Sequence, residues 1–150
     1  MLVRTFDHGI LFGVAVDAAK EIKASPRDGG QRSALVSIIF SVAAMEAFKN
    51  EITELALDFT KFAPRLDQRM VPPQSVVVFA EVMSDAERAH ATLESKFTLA
   101  HWALPGRKLD RGTQPCQDFA SLVRLRNGVV HLKASESVDH RATQDPRGDS

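Results

Sequence analysis

The stretch QRSALVSIIFSVAAMEAFKNEITELALDFT, residues 31–60, contains no glycine or proline and is rich in residues that favour helices. It predicts the longest helix of the chain, from Gln31 to about Thr60, ended by Pro64. Three- and four-residue steps place Leu35, Ile39, Val42, Ala43, Glu46, Asn50 and Leu57 on one stripe. Glu46 and Asn50 are polar residues on an otherwise apolar face, and a charge there is costly unless it is paired.

Upstream, His8 to Ala24 reads as an amphipathic helix with Leu11, Val14, Ala18 and Ile22 on one stripe. ILFGVAV at 10–16 resembles the apolar core of a signal peptide, but Asp7 before it and Asp17, Lys20, Glu21 and Lys23 after it favour the helix. SPRDGG at 25–30 then turns the chain. Downstream, Arg65 to Gln74 is polar, contains Pro72 and Pro73, and reads as a loop. VVVF at 76–79 is strand-like yet has no second strand to pair with, so it is read as the start of a short helix.

Ser84 and Glu87 have the spacing of a capping box, which predicts a helix from about Asp85 to Ala103. Leu104, Pro105 and Gly106 stop it. GRKLDRGTQP forms a loop, and a final helix starts near Pro115. SESVDHRATQDPRGDS has few large apolar residues, so 135–150 is expected to be a disordered tail following a helical domain over 1–134. The expected class is all-α, a compact bundle of four or five helices.

The length of 150 residues fits one domain with one core. Nineteen basic residues balance nineteen acidic ones, so an RNA partner would have to be held by a local patch. Cys116 is the only cysteine, which excludes an intramolecular disulfide and fits a reducing cytoplasm. No uninterrupted apolar run approaches the ~20 residues of a membrane span, so no membrane partner is expected.

The last helix contains LVRLRNGVVHLK at 122–133. At about 100° per residue, Phe119, Leu122, Val123, Leu125, Val129, Val130 and Leu132 share an arc that includes Arg126. Arg124, Asn127 and His131 lie opposite. An arginine on that arc needs a partner, and Glu46 on the long helix is the matching irregularity, so the two are expected to form an interhelical ion pair. A core arginine neutralised by Glu46 and a surface histidine at 131 are the structural readings of the same positions.

Arg126-Asn127-Gly128-Val129-Val130-His131 resembles the Arg-x4-6-His motif of the HEPN superfamily. FASLVRLRNGVVHLK is similar to that family's C-terminal motif helix, and SIIFSVAAMEAFKNEI at 37–52 to its long helix. The resemblance covers about residues 8–134. It implies a compact helical domain that dimerises and brings the motif residues of two subunits into one cleft. It implies a metal-independent endoribonuclease of toxin, defence or RNA-processing type, with an antitoxin protein as a further partner. A noncatalytic module that dimerises or binds a nucleotide or a protein is the alternative within the family. No metal and no cofactor are implied.

The roles implied are specific. Neutral His131 would take the 2′-hydroxyl proton, Arg126 would stabilise charge on the phosphate oxygens, and Asn127 would orient phosphate or imidazole. The product would carry a 2′,3′-cyclic phosphate. Arg124 shares a face with Asn127 and His131 on a straight helix and is a second candidate for phosphate contact; a bend at Gly128 would swing His131 toward Arg126.

His90 and His101 lie too far apart on one predicted helix to share a metal unaided. Trp102 reads as a core anchor. Arg107, Lys108 and Arg111 would add positive charge near the motif helix.

Overall fold

The computed structural model describes the backbone of residues 7–24, 30–66 and 72–139, and the side chains of these except 63–66 and 131–139. The described residues form five helices: α1 (Asp7–Ala24), α2 (Gly30–Leu66), α3 (Gln74–Arg88), α4 (Leu93–Ala103) and α5 (Gln114–Asp139). The chain is all-α, as the periodicity predicts.

Helix α2 is the spine and contacts α1, α3 and α5, while α4 bridges α3 and α5. The α1 helix runs antiparallel to α2, since Glu21 accepts from Ser33 near one end and Glu51 accepts from His8 at the other. Ala15 and Ala18 are the buried residues of α1. The buried stripe takes Ala15 where the wheel placed Val14, which is exposed. Small side chains there let the two helix backbones come close.

The main core cluster lies where α2, α3 and α4 meet: Ala56, Phe79, Ala80, Met83 and Ala103, with Ile52, Leu57, Val76, Val78 and Ala100 packed against it. VVVF therefore does begin a helix. Its residues join the apolar face of α3, and burial of that face overrides the β-propensity of three valines. Trp102 is half exposed and Ala103 takes the core position beside it, so the tryptophan is not the anchor expected.

Three expectations about boundaries fail for physical reasons. Pro64 does not end α2, which continues to Leu66. A proline removes one backbone donor, and so near a helix end the ladder has little left to lose. Ser84 and Glu87 do not cap a helix, because both lie inside α3. The single helix predicted over 85–103 is instead broken at Ala89 and His90, where His90 adopts a left-handed φ of 50°. The α4 helix then restarts on Thr92, whose hydroxyl accepts from the Ser95 amide at 3.3 Å. Finally, α5 passes Ser135, where the tail was expected to start, and reaches Asp139; residues 140–150 lie outside those described.

Helix α2 contains an 18-residue window long and apolar enough, by length and composition alone, to cross a bilayer. A search for an uninterrupted run misses it because scattered serines, a lysine and a glutamate divide the apolar residues. The core helix of a soluble protein meets the same test; 17% of that window is buried within the chain and most of the rest is half-buried.

Candidate functional site

The expected interhelical pair is present: the Arg126 guanidinium donates to Glu46 Oε1, joining α5 to α2. Val123, one turn before Arg126, is buried, and Leu122 and Val129 are half-buried. The arginine thus leaves the packed side of α5 toward the seam between the helices. Phe119 is half-buried as well, Leu125 and Val130 depart from the predicted arc at 55% and 54% exposed, and the Leu132 side chain lies outside the described residues. With more than a third of the α5 circumference apolar, one neighbour cannot cover it all.

Glu46 also lines a polar pocket of about 230 Å³ with Lys49, Asn50, Glu87, Ala91, Leu93 and Lys96. The pocket lies where α2, the end of α3 and the start of α4 converge. Lys49 is only 6% exposed, and its ammonium donates to Glu87 Oε1. Lys96 donates to Glu87 Oε2 at 2.6 Å, so one carboxylate holds a lysine on each oxygen. Those two hydrogen bonds, Lys49's first, hold the Glu87 carboxyl below the usual carboxylate range against an opposing effect of burial. Two carboxylates, Glu46 and Glu87, therefore stand among three cations, Lys49, Lys96 and Arg126.

The predicted residues separate into groups. Arg126, Glu46 and Asn50 belong to this seam. Asn127 is exposed on the next position of α5. Arg124 lies about 200° around the helix from Arg126 and lines a different, more apolar cavity beside Phe97 and Phe119. It is not brought to the Arg126 seam. The His131 backbone is helical, but its side chain lies outside the described residues. The helix is unbroken through Gly128, and a Cβ added there would meet nothing within 4 Å. The glycine is thus not required by packing within the chain.

Sequence reasoning missed Lys49, Glu87 and Lys96. Lysine and glutamate are counted as surface residues by default, and the Lys49 stem is long enough to be buried while its head reaches a carboxylate. It also missed a histidine–carboxylate pair between α1 and α2. There the His8 amide donates to Glu51 Oε1 at 3.1 Å, and His8 Nδ1 lies beside Oε2. Burial acts to raise the Glu51 carboxyl, but the hydrogen bonds from His8 outweigh it and the net shift is downward. Five residues separate Glu51 from Glu46, or about 140° around α2, so this pair faces away from the seam.

The remaining signals resolve simply. His101 Nδ1 contacts the Arg107 carbonyl oxygen at 2.9 Å, and Arg111 donates to Thr98 Oγ1 at 3.1 Å, fastening the loop to α4. Among the described residues no three His, Cys, Asp or Glu side chains gather in a way that would hold a metal ion.

Comparison with family models, with curated proteins and with solved structures found no match to this chain.

Proposed function

We propose that the chain is a metal-independent endoribonuclease of HEPN type, acting as a homodimer in a toxin or defence system. The observation that carries this reading is the Arg126–Glu46 pair, which fixes the motif arginine beside a pocket holding two further cations. A guanidinium held in one orientation suits a phosphate whose oxygens gain charge as the reaction proceeds. In the reaction, His131 removes the 2′-hydroxyl proton and the 2′-oxygen attacks the adjacent phosphorus. The bond to the 5′-oxygen breaks, that oxygen takes a proton, and a 2′,3′-cyclic phosphate remains.

Dimerisation is supported by the apolar surface. Leu125 and Val130 flank the motif residues on the exposed side of α5, and Leu35, Ile39 and Phe48 of α2 are exposed as well. A second copy seated on α5 would bring two motif helices together across the open space at Gly128.

A noncatalytic module is the second reading, and one observation favours it. Each cation of the seam already has a carboxylate, Arg126 on Glu46 and both lysines on Glu87, which is what a structural network needs. RNA cleavage in the presence of a chelator separates the two. The wild type is expected to cleave, and His131→Ala to lose about 10²–10⁴-fold, the usual contribution of a general base. Arg126→Ala is expected to lose activity while still dimerising. Cleavage that survives in His131→Ala removes that residue as the catalyst; a wild type that dimerises without cleaving favours the module.

A further inference from the structure

The cavity on the other side of α5 has no part in the reading above. It lies between α4, the 104–113 connection and the start of α5, and measures about 400 Å³. Pockets for small ligands begin at about 300 Å³. Phe97 and Phe119 form part of its wall, packed edge to face with ring centroids 4.9 Å apart, and Leu109 and Ala120 extend the apolar surface. Arg111, Arg124 and Glu94 are its charged residues.

We propose that this cavity binds a small ring-bearing monoanion, its ring against the phenylalanines and its anionic group on Arg124 and Arg111. The charge balance carries the choice of sign. Two guanidinium groups face one carboxylate, and Arg124 makes no ion pair or hydrogen bond with any described residue. Arg111 is oriented by its bond to Thr98 and likewise has no carboxylate partner among the described residues. In the Arg126 seam each cation is matched to a carboxylate; here two forks that bind carboxylates bidentately are left for an incoming one. Apolar walls with few polar groups at the rim suit a molecule whose bulk is a ring and whose charge sits at one end.

Cys116 lines the same cavity and is the only cysteine of the chain, so its alkylation reports occupancy without ambiguity. The test follows the rate of Cys116 alkylation by iodoacetamide, a neutral reagent, in the full chain with 2-naphthoate or with the neutral 2-naphthamide. Protection by the carboxylate is expected, with the amide needing about tenfold more, the loss typical of a charge-assisted hydrogen bond. Arg111→Ala/Arg124→Ala should raise the half-protecting naphthoate concentration by about tenfold or more on the same basis. Glu94→Gln should lower it, because a like charge leaves the rim. Arg111 and Arg124 are exposed and Glu94 is half-buried, and an unchanged thermal melt verifies that each variant folds. No protection at millimolar naphthoate overturns the proposal, as do equal protection by the amide and protection unaffected by the arginine changes.

Discussion

Two regions tie α2 to the rest of the bundle, and they do so by opposite means. The apolar cluster of Ala56, Phe79, Ala80, Met83 and Ala103 excludes water and contains no charge. About two to three turns along the same helix, the seam of Glu46, Lys49, Glu87, Lys96 and Arg126 is held by ion pairs. Burial of apolar surface is the dominant favourable contribution to folding, whereas paired charges must first lose water and return little net stability. The difference teaches where to look for function. Apolar burial stabilises the first region, while the second concentrates five charged groups at a polar pocket around the buried Lys49.

The largest expected effect tests the stabilising half of that contrast. Phe79 is 2% exposed and Met83 fully buried, so truncation leaves a cavity that neighbours fill only in part. Phe79→Ala should destabilise the fold by about 3–5 kcal/mol, measured by urea denaturation. A loss below about 1 kcal/mol, the level of an ordinary substitution, would show that the core lies elsewhere.

An intermediate effect is expected at Glu87, where the two lysines meet. Glu87→Gln leaves the buried Lys49 without its anion. The loss should be about 1–2 kcal/mol at pH 7, below the 3–5 kcal/mol of a fully buried pair because Glu87 is 45% exposed. The pH dependence has a definite sign. The folded-state carboxyl titrates below its unfolded value, so its contribution is complete above the ordinary carboxylate pKa and is lost as pH falls through the lowered one. Wild type and Glu87→Gln should therefore converge in stability from about pH 4.3 downward. Curves that stay parallel across that range would mean the two lysines do not hold this carboxylate.

The same contrast explains what could be read from the residues alone. The Arg126–Glu46 pair was legible because each residue interrupts an apolar stripe, and an interruption demands a partner. The all-α class was legible from residues 31–60, where no breaker occurs. The break between α3 and α4 was not, because it depends on a left-handed His90 and a Thr92 cap that compete with a false capping box at Ser84. Lys49 was hidden by its chemistry, since a lysine at a helical position looks solvated until the carboxylate from another helix is known. The exposure of Leu125 and Val130 is likewise invisible in a wheel, which gives the direction of a side chain but not whether a neighbour stands there.

The smallest expected effect concerns the pair that the sequence did foretell. The side chains of Arg126 and Glu46 are 28% and 44% exposed, so water screens the attraction. A double-mutant cycle with Arg126→Ala and Glu46→Ala should return a coupling of about 0.2–1 kcal/mol. Such a value would leave stability a poor reason for placing an arginine and a glutamate at an interhelical seam. It would turn attention to orientation, because a weak pair still restricts where the guanidinium points. Glu46→Gln then sharpens the point: the amide oxygen can still accept from Arg126, so folding should be nearly unchanged while cleavage falls if the orientation of the arginine matters. A coupling well above 1 kcal/mol would instead place the pair with the core as a structural element. Intact cleavage in Glu46→Gln alongside lost cleavage in Arg126→Ala would assign the arginine to phosphate without help from its partner.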